Sequence, residues 1–92
     1  KVGPAVKTIG ASAFANTNLA GLDLSEATSL VEIGNEAFYY TKLTYLDLSE
    51  ATSLVEIGKS AFSETNLAGT LMIPSTVTKI GPDAFYTTAN SR

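Results

Sequence analysis

Apolar positions in this 92-residue chain recur in blocks, not with the period of a single long helix or strand. The block Ile-Gly-x-x-Ala-Phe starts at Ile9, Ile33, Ile57 and Ile80, in steps of 24, 24 and 23 residues. Residues 9–32 and 33–56 are identical at 17 of 24 positions, and Leu22–Gly34 recurs letter for letter at 46–58. A repeat of this length has to be settled before any local segment is read, because one repeat cannot bury its apolar face alone.

Each repeat divides into legs. A glycine (Gly10, Gly34, Gly58, Gly81) marks a sharp corner. The next four residues predict a short helical turn that drops Ala and Phe inward. Phe14, Phe38, Phe62 and Phe85 then form a core column, with Thr17, Thr41, Thr65 and Thr88 three residues later. A Thr in such a column can bond the backbone of its own turn.

Leu19-x-x-Leu22-x-Leu24 and Leu43-x-x-Leu46-x-Leu48 follow, alternating in and out with strand period. This leg predicts the parallel sheet, one strand per coil, with Gly21, Tyr45, Thr70, Asp23, Asp47, Met72, Ser25 and Ser49 facing out. The third copy is altered by one extra residue before Leu71 and by Pro74. The return leg, Leu30-x-x-Ile33, Leu54-x-x-Ile57 and Val77-x-x-Ile80, predicts a weaker second set of strands.

The expected architecture is an α/β repeat solenoid: a right-handed leucine-rich repeat coil with one parallel β-sheet and short helical turns. It forms a single domain over residues 1–92, with a partial coil 1–8, coils 9–32, 33–56 and 57–79, and a terminal partial coil 80–92. Entry in mid-coil, without a capping segment or an initiator Met, suggests a piece of a longer array.

Ile-Gly-x-x-Ala-Phe, Leu-x-x-Leu-x-Leu and the stretch Met72–Phe85 together resemble the BspA-like leucine-rich repeat family. The resemblance spans nearly the whole chain. One departure is that the family commonly carries Cys where this chain has Thr17, Thr41, Thr65 and Thr88. The resemblance implies an extracellular or cell-surface location and adhesion to host matrix or cell-surface proteins. It carries no family-wide functional residue.

Composition narrows the chemistry. A net charge of -3 speaks against nucleic acid, which wants a basic patch. No apolar run approaches the ~20 residues of a membrane span. Without Cys or His, neither a zinc site of the usual kind nor a His-based triad can be built. Gly58-Lys59-Ser60 mimics the end of a phosphate loop, but the required earlier Gly is Ser53. Asp23 with Asp47, Glu26 with Glu50 and Glu32 with Glu56 form like-charge pairs at equivalent positions. A glycosidase needs two carboxyls in different environments, so this arrangement is the wrong one. Two carboxylates are also too few oxygen ligands for Ca²⁺. The chain is thus expected to be no enzyme and to need no cofactor.

The positions that vary between the two best-matched coils are the candidate site. The central coil places Tyr39, Tyr40, Lys42 and Tyr45 where the first has Ala15, Asn16, Asn18 and Gly21. Tyr is enriched at interface hot spots, so these residues, with outward Asp23, Asp47 and Met72, are candidates for binding a protein partner. Packing of one ring over a neighbouring coil is the competing reading. Two other roles stand beside adhesion: a spacer with no ligand of its own, and end-to-end self-association through uncapped coils.

Overall fold

The computed structural model describes residues 1–68 and 71–86. Four two-residue strands form one parallel sheet in chain order: β1 (Thr8–Ile9), β2 (Glu32–Ile33), β3 (Glu56–Ile57) and β4 (Lys79–Ile80). Ile9, Ile33, Ile57 and Ile80 are successive register partners, so the strands repeat the 24-, 24- and 23-residue steps. The chain is a solenoid of stacked coils.

The sheet lies on the Ile leg, not on the Leu-x-Leu leg where the alternation placed it. Among the described residues, no backbone hydrogen bond joins Leu22–Leu24 to Leu46–Leu48. That leg is tied across coils at isolated points, by Lys42 N–H to Leu19 O and Asn66 N–H to Leu43 O, both 2.9 Å, and by Val2 N–H to Asp23 O at 3.0 Å, without a strand ladder among the described residues. The alternation itself is real: Leu24, Leu46 and Leu48 are buried, and Asp23, Tyr45 and Asp47 are exposed. Alternation reports which way side chains face, not whether backbones pair. Pairing follows the glycine corner, which admits close approach. A Cβ on Gly58 would sit 2.6 Å from the Asn35 nitrogen of the preceding coil.

The expected helical turns are also absent; no helix occurs among the described residues. Ser12 and Asn16 have φ of 57° and 60°, and Glu36 and Tyr40, at the same places in the next coil, have 58° and 56°. Two left-handed residues within five interrupt a right-handed helix. The N–H groups of Ser12, Phe14 and Asn16 leave the turn and donate to Asn35, Ala37 and Tyr39 of the next coil, at 2.8–2.9 Å. Only the residues between them close tight turns, Ala13 onto Gly10 and Ala15 onto Ser12. The neighbouring coil thus takes the donors that a helix would need.

The core is the set of columns inside these legs. Ile33, Ile57, Phe38, Phe62, Leu30, Leu54, Leu43 and Leu48 have no exposed surface. Successive phenylalanine rings, Phe14 through Phe85, stack at 5.3, 5.1 and 5.4 Å within 8° of parallel. The Thr17 and Thr65 hydroxyls donate to the carbonyls of Phe14 and Phe62, closing their turns at 2.7 and 3.0 Å. Thr70, Thr88 and the polar tail 87–92 lie outside the described residues.

Candidate functional site

Tyr39 and Tyr40 end the turn leg of the central coil. Their rings lie 6.2 Å apart and tilted by 47°. Tyr39 is half-buried, whereas Tyr40 is 63% exposed. Tyr40 and Lys42 line a shallow polar groove that runs across the coils, with Asn16, Asn18, Glu64 and Asn66. Two columns build it: Asn16, Tyr40 and Glu64 on one side, and Asn18, Lys42 and Asn66 on the other. Asn16, Tyr40 and Glu64 all have φ between 56° and 60°, so the repeat geometry imposes that backbone whatever the side chain.

Tyr45, Asp23 and Asp47 lie elsewhere, on the Leu leg, around a hollow shared with Ser25 and Glu50. Tyr45 is 67% exposed. Each aspartate caps the bend that follows it: Ser25 N–H and Ser49 N–H donate to Asp23 Oδ1 and Asp47 Oδ1, both at 2.9 Å. The Ser25 hydroxyl adds a bond of 2.6 Å. The Ser25 hydroxyl, then its N–H, hold the Asp23 carboxyl below the usual aspartate range. Ser49 acts on Asp47 in the same way, with a smaller contribution from the Tyr45 hydroxyl. These are bend-capping roles, which occupy the carboxylates structurally.

Met72 is exposed and belongs to neither hollow. The seven candidate residues therefore divide into two patches and one isolated side chain. The sequence reading missed Asn16, Asn18, Glu64 and Asn66 as groove residues. The signal was present, since positions 16 and 18 are among the varying ones, but it has to be followed into the third coil.

The other acidic pairs have separate roles. Glu32 faces Glu56 across β2 and β3, and Glu56 faces Lys79 across β3 and β4. Glu26 pairs with Lys1 at 3.0 Å on the surface, which raises the lysine pKa. Among the described residues, no group of three or more acidic side chains is placed to hold a metal ion. No helix among them is long and apolar enough to cross a membrane.

The family model described as "BspA type Leucine rich repeat region (6 copies)" matches residues 1–92. No curated protein and no solved structure matches the chain.

Proposed function

The chain belongs to the BspA-type leucine-rich repeat family, and from that premise we propose that it is a non-enzymatic, protein-binding segment of a secreted or cell-surface protein acting in adhesion. Leucine-rich repeats are in general protein-interaction modules, which supports the coarse part of this reading. The finer part rests on Tyr40.

A bulky residue in the left-handed region costs about 1–3 kcal/mol. Asn16, at the equivalent place in the first coil, has a side chain that tolerates this backbone. Tyr40 is unfavourable there and leaves most of its ring in water. Glu64 shares this backbone in the third coil, so what sets Tyr40 apart is a large exposed ring that fills no core position and is free to touch a partner from outside. Tyr is suited to that task, being broad, amphipathic and low in rotamer entropy. The polar groove beside it, with Asn, Lys and Glu side chains, supplies the rim of such an interface.

Surface plasmon resonance against a panel of purified host matrix proteins tests the proposal. The wild type is expected to bind at least one of them. Tyr40→Asn is expected to weaken that binding by at least about tenfold, the scale of one hot-spot residue, while raising the melting temperature. Retained stability separates loss of contact from loss of fold. No binding to any panel member, or binding indifferent to Tyr40 and Tyr45 together, would leave the spacer role standing instead.

A further inference from the structure

We infer that the groove beside Tyr40 binds a neutral glycan, with the Tyr40 ring as stacking platform and the side-chain amides of Asn16, Asn18 and Asn66 reading the sugar hydroxyls. The inference rests on the reading of Tyr40 as a contact residue, and adds what the partner presents to it.

The groove opens on the side of the solenoid. Tyr40 and Lys42 belong to the central coil and have a coil on either side, yet both are exposed. The backbone there is already used: Tyr40 N–H donates to Ser63 O and Lys42 N–H to Leu19 O, both at 2.9 Å. Side chains are therefore what the groove offers a ligand, across a hollow of about 260 Å³.

Those side chains are not spent on the fold. Asn35, on the glycine corner, accepts Lys59 N–H at 2.9 Å and so holds two coils together. The amides of Asn16, Asn18 and Asn66 make no hydrogen bond among the described residues. Thr41, which also lines the groove, carries a buried hydroxyl without a partner among them. On the Leu leg, by contrast, Asp23 and Asp47 are occupied in capping their bends.

Charge and polarity select the ligand class. Lys42 and Glu64 bring one cation and one carboxylate to the lining, in a chain of net charge -3. A polyanion would need an excess of cations, and a basic peptide an excess of carboxylates. An apolar peptide would need an apolar lining, and Tyr40 is the one large ring here. A neutral ligand dense in donors and acceptors fits all three conditions. Each Asn amide offers two donors and one acceptor in a planar fork, and each sugar hydroxyl is both donor and acceptor. The exposed Tyr40 ring suits the C–H face of a pyranose, which is the apolar side of a sugar.

The repeat supplies the spacing. Phe14, Phe38 and Phe62 place successive coils 5.3 and 5.1 Å apart. That is close to the length of one pyranose unit in an extended glycan. A chain lying across the coils thus brings about one sugar to each, with Asn16 and Asn18, then Tyr40 and Lys42, then Asn66 in turn.

An array of neutral di- to tetrasaccharides of hexoses and N-acetylhexosamines, with sialylated and sulfated counterparts, tests the inference. The wild type is expected to bind at least one neutral member. Tyr40→Asn and Asn18→Ala are each expected to weaken that binding by at least about tenfold. Asn18→Ala should keep the wild-type melting temperature, since its side chain bonds to nothing in the fold, and Tyr40→Phe should keep the binding, since the ring is retained. No binding to neutral members, binding confined to charged ones, or binding that either weakening substitution leaves unchanged would overturn it. Enzymatic deglycosylation of the matrix proteins separates this from the adhesion reading. Loss of Tyr40-dependent binding after deglycosylation supports the glycan; Tyr40-dependent binding that survives it overturns the glycan and leaves the adhesion reading intact.

Discussion

The Phe38 and Phe62 rings lie 5.1 Å apart and 7° from parallel, both without exposed surface. They come from equivalent places in successive coils, so each ring forms one wall of its neighbour's pocket. Removing one takes away a transfer term and leaves a cavity lined by the other. Phe62→Ala is expected to cost about 3–5 kcal/mol, a large part of the roughly 5–15 kcal/mol that holds a native domain together. Phe14→Ala, at the exposed end of the column, should cost much less. Urea unfolding followed by circular dichroism checks the order; equal losses at the two positions would contradict a continuous stack.

The Ile and Phe columns were legible in the sequence because identity at fixed spacing forces equivalent residues to lie above one another. Two features were not. The turn leg has the composition of a helical turn, but its conformation is set by donors captured by the next coil, as Phe14 N–H is by Ala37 O. The Leu leg alternates as a strand does, but a period of two fixes burial and says nothing of hydrogen bonding. The candidate site was half legible. Tyr40 and Tyr45 stand out because they differ between near-identical coils. The groove beside Tyr40 takes one wall from Asn66 of the third coil, where Thr65–Ala68 repeats Thr17–Ala20 letter for letter, so comparing the first two coils alone cannot find it.

Glu32 and Glu56 are register partners on β2 and β3, whereas Glu56 and Lys79 are partners on β3 and β4. Like charges directly opposite on neighbouring strands destabilise, and unlike charges stabilise. Glu32→Lys replaces the unfavourable pair with a favourable one at an exposed position. The gain is expected at about 0.2–1 kcal/mol. It should shrink in high salt, which screens exposed charges. Thermal melts of the variant and the wild type at low and high ionic strength check both points.

Asp23 and Asp47 are held below the usual carboxylate range, chiefly by the Ser25 and Ser49 hydroxyls and next by their N–H groups. A group with a depressed native pKa favours the folded state above its unfolded pKa, and that contribution is lost as pH falls through the native value. For an aspartate the loss lies below about pH 4. Ser25→Ala removes the largest cause at Asp23. Its carboxyl should then titrate at higher pH, and acid unfolding should begin at higher pH as well. Carbon-detected NMR titration of the aspartate side chains checks the first point. An unmoved Asp23 would show that the N–H bond alone sets it.

Thr41 and Thr65 occupy the same column and are both buried, but only one is satisfied. The Thr65 hydroxyl donates to Phe62 O at 3.0 Å. The Thr41 hydroxyl has no hydrogen-bond partner among the described residues. A buried polar atom left unmade costs more than a made bond returns, so the same substitution should act with opposite sign at the two sites. Thr41→Val keeps the volume and removes the orphaned oxygen; a gain of about 1 kcal/mol is expected. Thr65→Val removes a made bond and leaves Phe62 O without that donor; a loss of about 1 kcal/mol is expected. Paired melting curves decide the matter. Losses at both positions would mean that the Thr41 hydroxyl is satisfied in solution, and that the whole column closes its turns through one bond.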